Sequence, residues 1–154
     1  VGRAISMMRG YINREEQTQT MLWTSPEGLA FYRSGDMGRV DEEGFVYILD
    51  RRKDMIISGG FNIYAADLET VLLAHPAVAD VAVIGIPSEQ WGETPLGLVV
   101  RKPGCTETEA EILEWANDRL GKAQRLAAIE CRPELPRSTI GKVLKRELRA
   151  PYWP

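Results

Sequence analysis

The sequence is poor in the residues that build metal and redox centres. Its 154 residues include one histidine, His75, and two cysteines, Cys105 and Cys131, which lie far apart and outside any CxxC pair. A histidine-rich metal site, a zinc knuckle and a disulfide framework are therefore not predicted, and both cysteines are interpreted as reduced. A Ser-His-Asp triad would require His75, which nothing in the sequence links to a nucleophile. Because His75 follows an apolar helical pattern, we expect it at the C-terminal end of a helix, where it faces the negative end of the helix dipole.

Charge of one sign and long hydrophobic runs are also lacking. Nineteen Lys and Arg against 22 Asp and Glu give a formal net charge of -3, so no global field would hold nucleic acid or an anionic membrane. No stretch approaches the ~20 apolar residues of a membrane span, and the N-terminus lacks the layout of a secretory signal. The motif GxGxxG is absent, and Gly141-Lys142 lacks the glycine spacing of a Walker loop. We therefore predict a cytoplasmic protein that binds anions locally and has no metal site.

The hydrophobic pattern predicts a small domain with an attachment. The first thirty positions show no sustained period, and the chain begins with Val1, which we interpret as the cut end of something longer. Alternating apolar residues around Glu42-Glu43-Gly44 predict a β-hairpin with strands at 38–41 and 45–49. The charged segment 51–54 marks the expected boundary, so residues 1–52 and 53–154 are predicted to belong to different domains.

The second domain is predicted to be α+β, a small sheet with helices packed on it. The periods predict helices at 66–74 and 143–149 and strands at 81–86, 96–101 and 128–132. Between them, Thr106-x-x-Glu109 has the form of a capping box, which predicts a helix that ends at Leu120. The apolar stripe of this helix includes Ile112 and Ala116, so Trp115 is expected to lie toward the other side.

Two segments have the composition of ligand-binding turns. In Tyr32-Arg33-Ser34-Gly35-Asp36, a carboxylate at a strand entry can accept hydrogen bonds from both hydroxyls of a ribose, and an ordinary turn aspartate is the alternative. The paired glycines of Ser58-Gly59-Gly60 let the backbone approach a ligand closely, and a plain connector is the alternative.

A third segment ends in a lysine on a glycine pivot. Lys142 follows Gly141, and a lysine so placed can present a point charge to a phosphate or carboxylate oxygen. Lys142, Lys145, Arg146 and Arg149 also recur at helical spacing, so a solvated basic helix face is the alternative.

Together these segments resemble the adenylate-forming family of acyl-CoA synthetases, luciferases and peptide-synthetase adenylation domains. YRSGD at 32–36 is similar to the family's YRTGD, and DRRKDMIISGGFNIYAADLE at 50–69 is similar to its DRxKDMIIxGGxNIYPxEIE. LPRSTIGKVLKREL at 135–148 is similar to the terminal LPxTxxGKxxRxxL. Met8-Arg9-Gly10-Tyr11 with Asn13 resembles the tail of the large N-terminal domain, so the likeness covers nearly the whole chain.

The resemblance implies a role for each matching residue. Asp36 would bind the ribose hydroxyls of ATP, with Arg51 on the same nucleotide, and Lys53 would be the hinge about which the small domain rotates. In one pose Lys142 would reach the substrate carboxylate and the ATP α-phosphate. In the other pose Ser58, Gly59 and Gly60 would line the tunnel for the pantetheine thiol of coenzyme A.

The lysine hinge and the SGGxN loop resemble acyl- or aryl-CoA synthetases more than peptide-synthetase domains. This implies an AMP-forming ligase of fatty or aromatic acids that uses ATP, with Mg²⁺ held mainly by the missing large domain, and coenzyme A. The chain departs from the family at Phe61, where Glu is usual, and at Gln124 and Leu126, where many relatives have Lys and Pro. Arg125 is then the candidate contact for the CoA phosphates.

Nothing in the chain resembles the family's phosphate loop or acyl pocket, so we expect the chain alone to be inactive. One alternative is a non-catalytic module that binds coenzyme A or a carrier-protein arm. Another is a small ferredoxin-like regulatory domain, in which Lys142 would have no role.

Overall fold

The computed structural model describes residues 1–153, which form two compact units, residues 1–48 and the residues from Leu49 onward. The elements that begin in the first unit are α1 (Glu15–Met21), β1 (Leu22–Thr24), β2 (Ala30–Tyr32), β3 (Asp36–Val40) and β4 (Val46–Arg51). Strands β1 and β2 pair with each other, and β3 and β4 form the predicted hairpin within two residues of the expected bounds. Helix α1 and strands β1 and β2 were not predicted, because elements this short hold too few turns or alternations to show a period.

The second unit is the predicted α+β layer. Its elements are β5 (Ile56–Ser58), β6 (Phe61–Ile63), α2 (Ala65–Leu73), β7 (Val78–Ser88), β8 (Gly92–Arg101), α3 (Glu109–Asn117), a 3-10 turn (Lys122–Gln124), β9 (Ala128–Cys131) and α4 (Lys145–Arg149). Strand β8 is central: β7 runs antiparallel along one edge, while the other edge takes β5 at Gly92 and β9 in parallel at Leu96–Val99. The β5–β6 hairpin was not predicted as a pair of strands.

The sheet buries apolar side chains on both faces. Along β7, Val81 and Val83 belong to a cluster formed with α2 and α3, whereas Ala82 and Ile84 belong to a second cluster with the segment that leads into α4. This alternation follows from the two-residue period of a strand. Full burial of one such Val or Ile contributes about 1.5–3 kcal/mol, so the two clusters fix the sheet between its covering layers.

The capping box of α3 begins at Thr108, two residues later than predicted. Thr108, not Thr106, caps α3: its Oγ1 accepts a hydrogen bond from the Glu111 amide at 3.2 Å, and the Glu111 carboxylate accepts one from the Thr108 amide at 2.7 Å. The sequence contains two overlapping Thr-x-x-Glu patterns, and the carboxylate of Glu109 accepts a hydrogen bond from the Cys131 amide at 2.6 Å instead. Tertiary contact to β9 therefore selects the second pattern.

The helix α3 also ends earlier than Leu120. It ends at Asn117, whose side-chain amide donates to the Leu126 carbonyl at 3.0 Å and accepts from the Leu126 amide at 2.8 Å. This pair of bonds joins the helix end to the segment that leads into β9. The chain between them is thereby held in the short 3-10 turn.

His75 and Trp115 both lie closer to the core than expected. His75 is buried, and its Nδ1 accepts a hydrogen bond from the Ala77 amide at 3.1 Å. Its ring meets that of Trp115 edge-on, with centroids 4.8 Å apart, and Trp115 packs against the core that includes Ile112. The guanidinium of Arg119 covers the Trp115 ring at 3.9 Å. His75 is thus a hydrogen-bonded structural residue, and the expectation that Trp115 faces away was wrong.

Candidate functional site

Residues 136–144, here called the lysine loop, form a tight turn that presents Lys142. The Leu144 amide donates to the Pro136 carbonyl at 2.8 Å, and the Ser138 amide donates to the Lys142 carbonyl at 2.8 Å. Gly141, at φ +80, occupies the left-handed region that favours glycine and closes the turn with a 2.9 Å bond to the Ser138 carbonyl. The Lys142 side chain that follows is exposed.

Lys142 differs in its surroundings from Lys145 and Arg149, two other cations at the C-terminal end. Within residues 1–153, its ammonium makes no ion pair within 4.0 Å. Lys145 is paired with Glu69 at 2.6 Å, and Arg149 is paired with Asp54 at 2.9 Å. Since α4 begins only at Lys145, the expected basic helix face that includes Lys142 does not exist. Lys145 and Arg149 instead form ion pairs that join α4 to other parts of the second unit.

The two glycines lie at the tip of the β5–β6 hairpin, which we call the glycine turn (residues 58–61). Ser58 pairs with Phe61, and Gly59 and Gly60 have φ of +55 and +84, the combination of a type I′ turn. The Gly59 amide donates to the Trp91 carbonyl at 2.9 Å, and a Cβ at Gly59 would lie 2.8 Å from Trp91 Cε3.

Trp91 is the residue of this region that the sequence analysis missed. Its indole is 50% exposed although it packs on the Gly59 backbone. Phe61, the last residue of the turn, is 63% exposed. The glycine turn therefore carries one accessible aromatic side chain and contacts a second, Trp91, whose only signal in the sequence was its position directly before Gly92.

The lysine loop and the glycine turn lie at opposite ends of the β7–β8 hairpin. The loop contacts Asp80, near the start of β7, through Arg137, whereas the glycine turn contacts Trp91, in the connection that follows Ser88. Eight residue steps along an antiparallel strand, at about 3.3 Å each, separate Asp80 from Ser88 by ~26 Å. A single small ligand cannot contact both groups at once.

The predicted hinge residue lies in an exposed turn between β4 and β5. Lys53 itself is exposed, and its carbonyl accepts a hydrogen bond from the guanidinium of Arg149 at 2.8 Å. The Asp54 amide donates to the Arg51 carbonyl at 2.9 Å and closes the turn. Asp50, just before it, accepts a hydrogen bond from the Ala66 amide at 3.3 Å and so caps α2 from outside the helix.

The predicted nucleotide residues lie in different units. Asp36 opens β3 in the first unit and is partly buried, and its amide donates to Ser34 Oγ at 3.3 Å. Arg51 ends β4 in the second unit and is exposed. Each of these two residues takes part in a further interaction. Their assignment to ribose and nucleotide binding stays a prediction.

Arg125 is exposed and directly follows the 3-10 turn, which packs against β6. The structure thus brings the segment of Arg125 close to the strand that leaves the glycine turn. Leu126, one of the departures from the family pattern, is buried in the core and hydrogen-bonded to Asn117. The leucine that stands here in place of proline therefore packs in the core.

The perturbed ionisable groups lie outside these loops. Burial raises the pKa of the Cys131 thiol. The charge of Arg101 lowers this pKa, and the charge of Glu109 raises it. Burial also raises the pKa of Tyr152, whose hydroxyl donates to the Glu130 carboxylate at 2.7 Å. Both groups are therefore held in their neutral forms, which suits structural roles. Among residues 1–153 there is no cluster of three or more metal-binding side chains, and no helix is long and apolar enough to cross a membrane.

Comparison with known proteins matches much of the second unit to a family model. Residues 67–142 match the model described as the AMP-binding enzyme C-terminal domain. The 2-succinylbenzoate–CoA ligase of Bacillus cereus is 44% identical over 140 residues, which are 91% of this chain and 28% of the ligase. The chain therefore spans just over a quarter of the length of this curated relative.

Solved structures give the same result. ATP-bound MatB from Rhodopseudomonas palustris matches with a TM-score of 0.81 and 38% identity, over 94% of this chain and 28% of MatB. The o-succinylbenzoate CoA synthetase of Bacillus subtilis, in complex with its acyl-adenylate intermediate, matches with a TM-score of 0.79 and 38% identity, over 92% of this chain and 28% of the synthetase. The chain belongs to the adenylate-forming family, and its residues 67–142 match the C-terminal domain of that family.

Proposed function

We propose that this chain is the C-terminal part of an ATP-dependent, AMP-forming acid–CoA ligase and that Lys142 is its adenylation lysine. The observation that carries the proposal is the exposed ammonium of Lys142, without an ion pair among the described residues, at the tip of an ordered loop. Two neighbouring cations, Lys145 and Arg149, are paired with Glu69 and Asp54, whereas Arg146, like Lys142, makes no ion pair among the described residues. Lys142 is thus available to an anion supplied by another part of the enzyme.

The chemistry explains why a cation is needed there. Adenylation brings an anionic carboxylate against the anionic α-phosphate of ATP, and charge accumulates as pyrophosphate leaves. A preorganised donor at developing charge accelerates such steps by about 10²- to 10³-fold. An ammonium delivered on a folded loop, rather than on a flexible tail, meets the requirement for preorganisation.

The thioester half-reaction is assigned to the glycine turn. Its exposed backbone and the flanking Trp91 offer a surface that a pantetheine arm can follow, and Arg125 is the candidate cation for the CoA phosphates. Because the lysine loop and the glycine turn are separated by about 26 Å along β7, the two half-reactions require two poses of the second unit. Lys53 is proposed as the hinge between them.

The remainder of the active site is assigned to the large domain. Asp36 and Arg51 are proposed to bind the ATP ribose and nucleotide, with Mg²⁺ held by residues outside this chain. The apolar surface of the β3–β4 hairpin supports this assignment, since Val40, Val46 and Ile48 are each 65% exposed. An apolar surface of this kind is typical of a segment that packs against further polypeptide. The acid is proposed to be fatty or aromatic, because the lysine hinge and the SGGxN loop resemble those of acyl- or aryl-CoA synthetases.

The test separates the two half-reactions in the full-length ligase. We expect Lys142→Ala to lower the rate of acyl-adenylate formation by about 10²- to 10³-fold, measured by ATP–pyrophosphate exchange. Thioester formation from added acyl-adenylate should stay near the wild-type rate. Lys122→Ala, at another exposed lysine, is the matched control and should leave exchange unchanged.

Equal losses in both half-reactions, or no loss in either, would refute the assignment of Lys142. The second outcome would instead favour a non-catalytic module that binds coenzyme A. The 154-residue chain alone should show no exchange activity, and measurable exchange would contradict the proposed division of the active site.

A further inference from the structure

We infer that Arg137 and Asp80 form a positioning pair that holds Lys142 for adenylation; this rests on the function proposed for Lys142. Arg137 lies five residues before Lys142 in the same loop. Its Nη1 donates to the Gly141 carbonyl at 2.6 Å, and its Nη2 binds the carboxylate of Asp80. The guanidinium thus connects the peptide immediately before Lys142 to the central sheet.

Asp80 is itself held in a fixed orientation. Its Oδ1 accepts a hydrogen bond from the Val81 amide at 3.0 Å, which leaves Oδ2 for Arg137. The pairing of β7 with β8 shifts between Val78 and Asp80, and such bulges change the direction of the side chains beside them. Asp80 shares the even-numbered positions of β7 with Ala82 and Ile84, on the face where the lysine loop is packed through Val143.

Apart from this pair, the hydrogen bonds of the tip of the lysine loop lie within the loop. They are the Ser138 bonds to Gly141 and Lys142 and the isolated bridge between Arg137 and Val143. The base of the loop is packed on the sheet through Val143, but these internal bonds do not join the tip to the sheet. The contact from Arg137 to Asp80 is the bond that fixes the tip relative to the sheet.

Arg137 acts on the reaction through Lys142. Its guanidinium is already occupied by a carboxylate and a carbonyl, so it is not the cation offered to substrate. A displacement of about 1 Å at a group that stabilises charge can reduce the rate by up to ~100-fold. The arginine fork is suited to this role because one planar group binds two acceptors in a fixed geometry, which lysine cannot reproduce.

The first test measures loop order in the 154-residue chain. We expect Arg137→Gln to increase hydrogen exchange at the amides of Gly141 and Lys142 at least tenfold, with exchange in β7 and β8 unchanged. Arg132→Gln is the matched control, because Arg132 is 41% exposed in a pair with Glu130, whereas Arg137 is 44% exposed in its pair with Asp80. Unchanged exchange at Lys142 in the Arg137 variant would overturn the proposal.

The second test measures function in the full-length ligase. Arg137→Gln and Asp80→Asn should each lower the rate of adenylate formation about tenfold or more and spare thioester formation from added adenylate. In a Lys142→Ala background, Arg137→Gln should have no further effect on adenylation, because the group that it positions has been removed. A further loss in that background would mean that Arg137 acts independently or destabilises the fold, and would overturn the inference.

The Lys142 and Arg137 variants together distinguish the function proposed for Lys142 from the positioning role inferred for Arg137. If Lys142→Ala itself spares adenylation, the function proposed for Lys142 fails. If Lys142→Ala abolishes adenylation while Arg137→Gln leaves it intact, only the positioning role of Arg137 fails.

Discussion

At the scale of single residues, the two glycines of the glycine turn have similar backbone conformations and different surroundings. Both have positive φ, so alanine at either position costs about 1–2 kcal/mol of stability through backbone strain. A Cβ at Gly60 would meet no atom within 4 Å, whereas a Cβ at Gly59 would approach the Trp91 ring to 2.8 Å. We therefore expect Gly59→Ala to destabilise the chain more than Gly60→Ala in urea unfolding.

The excess loss should come from Trp91. In a Trp91→Ala background, Gly59→Ala should lower the free energy of unfolding by no more than Gly60→Ala does, because the clashing ring is absent. In the full-length ligase, Gly59→Ala should also slow thioester formation more than Gly60→Ala, since the displaced indole lies beside the proposed thiol path. Equal unfolding free energies for the two single variants would contradict the contact between Gly59 and Trp91.

The residues of the candidate site were predictable to different extents. Lys142, Gly59 and Gly60 stand out because their residue types match what the chemistry or the turn requires. Trp91 and Asp80 do not, because Trp91 joins the site only when β5 pairs with β8 at Gly92, and Asp80 joins it only when the lysine loop lies against β7. Arg137 was visible inside the motif, but its function depends on a carboxylate 57 positions away.

At the scale of secondary structure, the beginning of α3 distinguishes two threonines that look equivalent in the sequence. Thr108 Oγ1 accepts a hydrogen bond from the Glu111 amide. The hydrogen bond that the Thr108 amide donates in return lowers the pKa of the Glu111 carboxyl. We expect Thr108→Ala to lower the free energy of unfolding by about 1 kcal/mol. Thr106→Ala, two residues earlier and exposed, should have almost no effect in the same thermal or urea unfolding experiment. The opposite ranking would place the helix start at the first pattern.

The longest strands were predicted and several short elements were not, for a physical reason. Strands β7 and β8 are 11 and 10 residues long and nearly continuous in burial at their centres, so their apolar runs identify them. Helix α1 has seven residues and buries none of them, so no apolar stripe marks it. The end of α3 depends on the amide of Asn117 finding Leu126 nine positions later, which local pattern cannot show.

At the scale of the whole molecule, the hydrophobic core is confined to the second unit. Every buried hydrophobic side chain of residues 1–153 lies between Ile56 and Leu135. The first unit has exposed apolar side chains instead, among them Ile5, Ile12 and Phe45. Since burial of apolar surface is the main favourable contribution to folding, the second unit should carry nearly all of the stability.

This distribution predicts the result of truncation. A chain that begins at Leu49 keeps Asp50, the external cap of α2, and Asp54, the partner of Arg149. We expect it to unfold cooperatively with the free energy of the 154-residue chain to within about 0.5 kcal/mol, the usual range for changes away from a core. Residues 1–48 alone should show no cooperative transition. Circular dichroism during urea unfolding measures both quantities.

A chain that begins at Ile57 is the matched control for the length removed. It loses Ile56, which is fully buried, together with both carboxylates. Removal of a buried isoleucine side chain costs about 2–5 kcal/mol, and loss of Asp54 leaves the partly buried Arg149 without its ion pair. This shorter chain should therefore be far less stable than the one that begins at Leu49. If the two truncated chains were equally stable, or if the first lost most of its stability, the boundary of the independently folding unit would lie elsewhere than just before Leu49.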